Sequence, residues 1–257
     1  QSHAKKTDKH PNGDMGLTWL GTNEAGSGSF IMRKWAKNDR VILDAFDGHW
    51  GNKPKLKRVV VKEINEATSR RLQVEKGDID IAWELFPDQV KALQGNANLH
   101  IDKFPATTIY YVGMNVTRGP LQNPKVRQAI RYAVDYDGII NHVMGGAAKA
   151  INTFIPEGFA GYNPKIHFTQ DIAKAKALMA EAGFPNGFET TINTGDQTPN
   201  PELSQVLQAS LAKIGIKLKI NKMISSQLWP DYRKQNHDII MARWGPDYND
   251  PHTNAQP

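Results

Sequence analysis

The chain has 257 residues, 39% of them hydrophobic and 23% charged, so a packed globular core is expected rather than disorder. The formal net charge is +6, but Lys and Arg are scattered, with no dense run after the first residues and no interleaved aromatics. That pattern reads as a solvated surface, and nucleic acid is not an expected partner. Cysteine is absent, which excludes disulfides and thiolate chemistry without fixing the compartment. The longest apolar runs are far too short to cross a bilayer, so no direct membrane insertion is expected. Residues 1 to 14 contain no apolar signal core, so any export signal lies outside this stretch.

In chain order, residues 1 to 16 read as a flexible arm or connection, rich in turn formers. Leu17, Trp19 and Leu20 suit one short helical turn. Gly26-Ser27-Gly28-Ser29-Phe30 opens a strand, Phe30 to Trp35, rather than a helix, so a tight turn is favoured over a phosphate cradle. Strands are expected at Val41 to Leu43 and Leu56 to Ile64, with a loop from Gly48 to Pro54 between them. A helix over Ala67 to Lys76 should stop at Gly77. Short strands follow at Ile79 to Ala82 and Leu99 to Lys103, with a helical turn or two at Pro87 to Leu93 between them. Ile109 to Val116 is a strong strand, rich in aromatic and β-branched residues.

From Pro124 the texture changes. Val126, Ala129, Ile130, Ala133 and Val134 share one helical face. A helix over Asp137 to Val143 ends at Gly145-Gly146, and Ile151 to Lys165 is a Gly/Pro-rich loop. Thr169 is a candidate N-cap for a helix over Asp171 to Ala182. Strands at Phe188 to Asn193 and Ile216 to Met223 flank a long helix whose apolar face carries Leu203, Val206, Leu207, Leu211 and Ile214. A helix at Gln227 to Arg233 leads to a buried strand from Ile239. This alternation predicts a parallel or mixed α/β unit after a β-rich first part.

The last of these strands runs into Arg243, Trp244, Gly245-Pro246, Asp247, Tyr248 and Asp250. Charge and aromatic surface after a sheet strand is where an open α/β fold places a ligand, although a capped strand and a plain polar loop would read the same way. Asp247, Asp250 and His252 are possible hard-metal ligands, but they lack the regular oxygen spacing of a calcium loop. No G-x-S-x-G elbow or H-E-x-x-H pair occurs, so the case for an enzyme is thin.

The order of these motifs resembles the extracellular solute-binding proteins of family 5, the peptide/nickel class of ABC-importer receptors. Gly26 to Phe30 resembles that family's G-T-G-P-[FY] turn, and Asp47 to Pro54 its N-x-x-Y-W-G-G-K-P loop. Arg71 with Gly77-Asp78-Ile79-Asp80 is similar to R-x-x-x-L-x-x-G-E-x-D, and Tyr110 to Asn115 to the Y-x-x-[FM]-N strand end. Val126 to Asp135 resembles V-R-Q-A-[IL]-x-x-A-[IV]-D, Ala173 to Gly183 resembles A-K-x-L-[LM]-x-E-A-G, and Trp244 to Asp250 resembles W-x-x-D-Y-x-D-P. Ser29 departs from the usual Pro, and Asp47 and His49 from the usual residues before Trp50. The likeness spans about Trp19 to Pro251 and implies an internal fragment.

The resemblance implies an incomplete α/β fold of the type II periplasmic-binding-protein kind, two-lobed with mixed sheets. Residues 17–115 would belong to the first lobe and 116–257 to the second, whose return strand is missing. It implies a substrate-binding component of an ABC importer, not an enzyme, without cofactor or metal, located in the periplasm or anchored outside a Gram-positive cell. Its partners would be a small amine-bearing solute, most simply a di- or oligopeptide, and the permease subunits. The implied ligand-binding residues are Asp247, as the ammonium partner, with Trp244, Tyr248, Arg243 and Asn115. A sugar, opine or metal chelate inside the same family, or a metal-dependent hydrolase using Asp247, Asp250 and His252, are the alternatives.

Overall fold

A computed structural model of the chain describes residues 16–102, 106–151, 153–165, 168–248 and 250–255. The expected arm at residues 1 to 16 therefore lies outside the described residues except for Gly16. Two compact units divide between Leu85 and Phe86.

The first unit is built on an antiparallel meander of β1 (Phe30–Ala36), β2 (Arg40–Ala45) and β3 (Arg58–Lys62). Asn38 turns β1 into β2 at φ 59°, a backbone region that Asn tolerates well. Asp44, on the central strand, accepts from Arg58 at 2.6 Å and Arg33 at 3.3 Å, one on each flanking strand. The hydrogen bond from Arg58 holds the Asp44 carboxyl below the usual carboxylate range. The unit also contains helices α1 (Leu17–Leu20) and α2 (Ala67–Lys76), the latter ended by Gly77 at φ 79° as expected. Arg70 donates to the carbonyls of Ile64 (2.6 Å), Asn65 (3.0 Å) and Glu84 (3.0 Å), tying both ends of the α2 region together.

Two expected strands do not form. Ile79 to Ala82 has no neighbouring strand among the described residues, and Ile81 is 79% exposed. Leu99 to Asp102 is likewise irregular, and Lys103 lies outside the described residues. An extended segment becomes a strand only when a neighbour satisfies its backbone groups, and local propensity does not supply one.

The second unit starts with helix α3 (Pro87–Leu93) and centres on a four-stranded sheet in the order β4-β7-β5-β6. Its strands are β4 (Ile109–Met114), β5 (Glu189–Gly195), β6 (Lys217–Met223) and β7 (Ile239–Trp244). β5 is parallel to both β6 and β7. β4 pairs antiparallel to β7 along its whole length, from Ile109 opposite Trp244 to Met114 opposite Ile239. This pairing corrects the boundary expected near Asn115: the strand leading to Asn115 is part of the second unit's sheet, and the division falls thirty residues earlier, after Leu85.

Helix α4 (Pro124–Ala133) carries Asn123 as its N-cap, and the cap oxygen accepts from the Lys125 amide at 2.9 Å. Helix α5 follows as one α-turn, Tyr136–Gly138, continued by a π-helical stretch, Ile139–Val143. Helix α6 (Ile172–Glu181) is capped by Asp171, whose carboxylate accepts from the Lys174 amide at 2.9 Å, and not by Thr169. The cap oxygen reaches the third helical amide only from the residue immediately before the helix, which is Asp171. Helices α7 (Asn200–Ala212) and α8 (Ser225–Arg233) are the crossovers of β5-α7-β6-α8-β7.

The core lies on one sheet face. Val126, Ala129, Ile130 and Ala133 of α4, Ala175 and Met179 of α6, and Leu203, Leu207 and Leu211 of α7 pack over Ile192, Leu218, Ile239 and Met241. The opposite face is covered more thinly, with Leu228, Trp229 and Tyr232 of α8 meeting Ile240, Ala242, Tyr111 and Met223. Gly187 and Gly215, both at positive φ, let two connections touch backbone to backbone; a Cβ on Gly187 would lie 2.0 Å from the Gly215 carbonyl oxygen.

Candidate functional site

The chain order in the sheet reverses at β5. From β5 it steps outward to β6, then crosses back to place β7 on the other side of β5. The two crossovers use opposite faces, α7 on the main core and α8 on the thinner one. The crevice beyond the carboxyl ends of β5 and β7 is thus a topological switch point, where open α/β sheets place ligands. Gly195 ends β5, Trp244 ends β7, and the loop carrying Asp247 leaves from there.

Several side chains hold this loop. Trp244 is half-buried, and its indole Nε1 donates to the Thr253 carbonyl at 3.1 Å, in helix α9 (His252–Ala255). The Asp250 carboxylate accepts from the His252 amide at 2.8 Å, which closes the turn into α9. The Tyr248 hydroxyl and His252 Nδ1 lie 3.0 Å apart, with the donor set by the tautomer. Asp247 is exposed, and its carboxylate has no hydrogen bond or ion pair among the described residues. Tyr248 is 54% exposed, and Arg243 is exposed too. Four of the expected site residues, Arg243, Trp244, Asp247 and Tyr248, therefore sit together at one strand end.

Asn115 does not join them. β4 is antiparallel to β7, so its end lies at the start of β7, where the Asn115 amide N–H donates to the Asp238 carbonyl at 2.8 Å. The length of β7 separates Asn115 from the loop, about 20 Å at strand rise. The Asn115 side chain is also fully used: Nδ2 donates to the carbonyls of Gln235 (3.0 Å) and His237 (3.1 Å), and Oδ1 accepts from the Thr117 amide (3.0 Å) and hydroxyl (2.7 Å). Arg118 reinforces the same grip, donating to the His237 carbonyl at 2.6 Å and facing Asp238 at 3.5 Å. Asn115 is a clasp between β4 and β7 and is withdrawn from the set of ligand contacts.

Beside this clasp the structure has a polar cleft of about 410 Å³, which Asp247 does not line. Several of its polar groups satisfy one another, while His237 Nδ1 is buried without a hydrogen-bond partner among the described residues. Thr191 donates to Asp238 at 3.0 Å, Asn221 donates to Asn193 at 3.3 Å, and Arg118 is held by carbonyls. A carboxylate that no described group engages gains most from a cationic ligand, so Asp247 is the candidate carried forward. His237, in the cleft wall, stacks on Tyr232 with centroids 5.5 Å apart. Burial, and next the Arg118 guanidinium, push its imidazole pKa down, against the opposing pull of Asp238 and Asp231.

Among the described residues no three His, Asp or Glu side chains gather as metal ligands. Asp250 and His252 are turned toward the turn amide and Tyr248 instead. Missed in the sequence were Thr253 and Asn254, both buried. Asn254 Nδ2 donates to the Phe154 carbonyl at 2.8 Å, so it joins α9 to the Gly/Pro-rich loop. Two polar residues near the end of the chain carried no signal beyond a short polar run.

The profile described as bacterial extracellular solute-binding proteins, family 5 Middle, matches residues 3–257. The chain is 35% identical to the probable D,D-dipeptide-binding periplasmic protein of Escherichia coli (strain K12) over 236 residues, 91% of this chain and 46% of that protein. It is 32% identical to the dipeptide-binding protein of the same strain, over 90% of this chain and 44% of that one. Among solved structures it is similar to the ABC transporter-associated periplasmic binding protein DppA of Helicobacter pylori in complex with peptide STSA, with TM-score 0.79 and 34% identity, over 89% of this chain and 44% of that chain. The chain thus spans about half the length of the curated relatives it matches. The structural match bears out the expected periplasmic-binding-protein-like α/β fold, in incomplete form.

Proposed function

The chain belongs to the bacterial extracellular solute-binding proteins of family 5, and from that membership we propose that it forms part of the substrate-binding component of an ABC importer that takes up di- or oligopeptides. Asp247 pairs with the ligand's α-ammonium, and Trp244 and Tyr248 flank it with apolar and cation–π surface. The protein binds and releases its ligand unchanged, works in the periplasm or outside the cell, and delivers the ligand to permease subunits. The dipeptide-binding names of its relatives and the peptide in the Helicobacter pylori structure support a peptide as ligand. No described helix is long and apolar enough to cross a membrane.

The observation that carries this reading is the Asp247 carboxylate at the switch point, without a partner among the described residues and next to Trp244, Tyr248 and Asp250, each held by a hydrogen bond. A pre-ordered loop leaves little conformational cost to binding. The test is calorimetry on the whole protein with a dipeptide and its N-acetylated form. Asp247→Asn keeps the shape and removes the charge. It should weaken dipeptide binding by about 1.5–3 kcal/mol, roughly ten- to a hundredfold. The N-acetylated form, which has no ammonium, should bind nearly alike to both proteins. Equal loss for the two ligands would mean that Asp247 supports the loop rather than reading the amine.

A further inference from the structure

Helix α9 is held from two sides by side chains far apart in sequence. Trp244 Nε1 bonds the Thr253 carbonyl at 3.1 Å, and the next residue, Asn254, bonds the Phe154 carbonyl at 2.8 Å. Helix α9 therefore links the Trp244 indole to the backbone of Phe154 through two hydrogen bonds. The tether is buried, with Thr253 at 5% and Asn254 at 8% exposure. The loop it holds has its own anchors. Thr153 Oγ1 donates to the Ile155 carbonyl at 2.8 Å, and Phe159 is buried. Phe154 itself is left 56% exposed.

A large aromatic ring left exposed on an anchored loop, tied through α9 to the strand end that leads to Asp247 and the half-exposed Tyr248, is what an apolar ligand group would cover. We infer that Phe154 is a specificity-determining residue. It seats the apolar side chain of the ligand residue whose ammonium meets Asp247, and Asn254 is the positioning residue that holds it there. This rests on the proposed peptide reading. It adds a preference, for a first residue with a large apolar side chain over glycine. Burial of such a side chain against an aromatic ring accounts for a preference of about tenfold or more.

The test measures the affinities of the whole protein for Phe-Gly and Gly-Gly by calorimetry, and reads their ratio. The wild type should prefer Phe-Gly by about tenfold or more. Phe154→Ala should bring the ratio close to one while leaving Gly-Gly binding nearly unchanged, and Phe154→Leu should keep most of the preference. Asn254→Ala should lower the ratio as Phe154→Ala does. Asn254→Asp should do the same, because an ionised carboxylate cannot donate to the Phe154 carbonyl. A merely structural loss would weaken both dipeptides together, and so would Asp247→Asn, with the ratio kept in each case. A wild type that binds both dipeptides equally, or a ratio unmoved by Phe154→Ala, overturns the role of Phe154 and leaves the peptide reading standing. A wild type that binds neither dipeptide overturns both.

Discussion

Asn115 and Asp247 show how little a residue's type says about its work. Each follows a strand and each fits the family resemblance, yet one is spent on structure and the other has no hydrogen bond or ion pair among the described residues. The Asn115 amide meets Gln235 and His237, residues 120 and 122 positions away, and nothing local in the sequence announces that. Its loss should appear in stability. Asn115→Ala leaves the Gln235 and His237 carbonyls with Arg118 as their side-chain donor and removes the acceptor of the Thr117 amide and hydroxyl, and it should cost about 1–3 kcal/mol in urea unfolding, with dipeptide affinity unchanged. A large loss of affinity at unchanged stability would return Asn115 to the ligand site. His237 makes a second prediction at this scale. Its folded pKa lies below the ordinary imidazole value of about 6.5, so the folded state binds its proton less readily than the unfolded chain. Its contribution is intact above about pH 6.5 and is lost as pH falls below that. Around the ring stand Arg118, Asp238, Asp231 and Tyr232. His237→Gln should flatten that part of the profile of unfolding free energy against pH. An unchanged slope would place the acid sensitivity elsewhere.

Elements were legible where the sequence pattern matched a partner that the chain itself provides. The 3.6-residue period of Val126, Ala129, Ile130 and Ala133 became the buried face of α4, and Leu203, Leu207 and Leu211 that of α7. Ile239 to Met241 proved to be the start of the strand between β4 and β5, which is why an unbroken apolar run was needed there. Ile79 to Ala82 had a similar local signal and formed nothing, because pairing is decided by what lies alongside. The loop after β7 could be placed from Gly245 and Pro246, but the bonds that hold it run to Thr253 and onward to Phe154, and these depend on the folded course of the chain. Leu211, fully buried on α7 against the sheet, tests the element scale directly. Leu211→Ala should cost about 2–5 kcal/mol, read from urea unfolding by circular dichroism. A negligible change would show that α7 does not pack on the core through this residue.

The two units differ sharply in what they bury. In the second, Val126, Ile130, Ile192, Leu207, Leu211, Ile216, Ile239 and Ile240 are almost wholly removed from water. Side chains of this kind contribute about 1.5–3 kcal/mol each. In the first unit, Ala67 is the one buried apolar side chain among the described residues, while Trp50, Ile81 and Trp83 are 85%, 79% and 73% exposed. Its sheet has three strands, and the cross-strand ion pairs around Asp44 are solvent-accessible, worth little in water. The 257-residue chain should therefore not unfold as one cooperative body. Four of its six tryptophans, Trp19, Trp35, Trp50 and Trp83, lie in the first unit, whereas most of the helix lies in the second. Tryptophan fluorescence should change at lower urea than far-ultraviolet circular dichroism. Amides of β1 to β3 should exchange with deuterium at least about tenfold faster than those of β5 to β7. The exposed tryptophans and Ile81 should also drive self-association that deepens with concentration in light scattering and weakens in Trp83→Ser. Coincident urea transitions with uniform exchange protection would show that the first unit draws as much stability as the second, from contacts other than its own core.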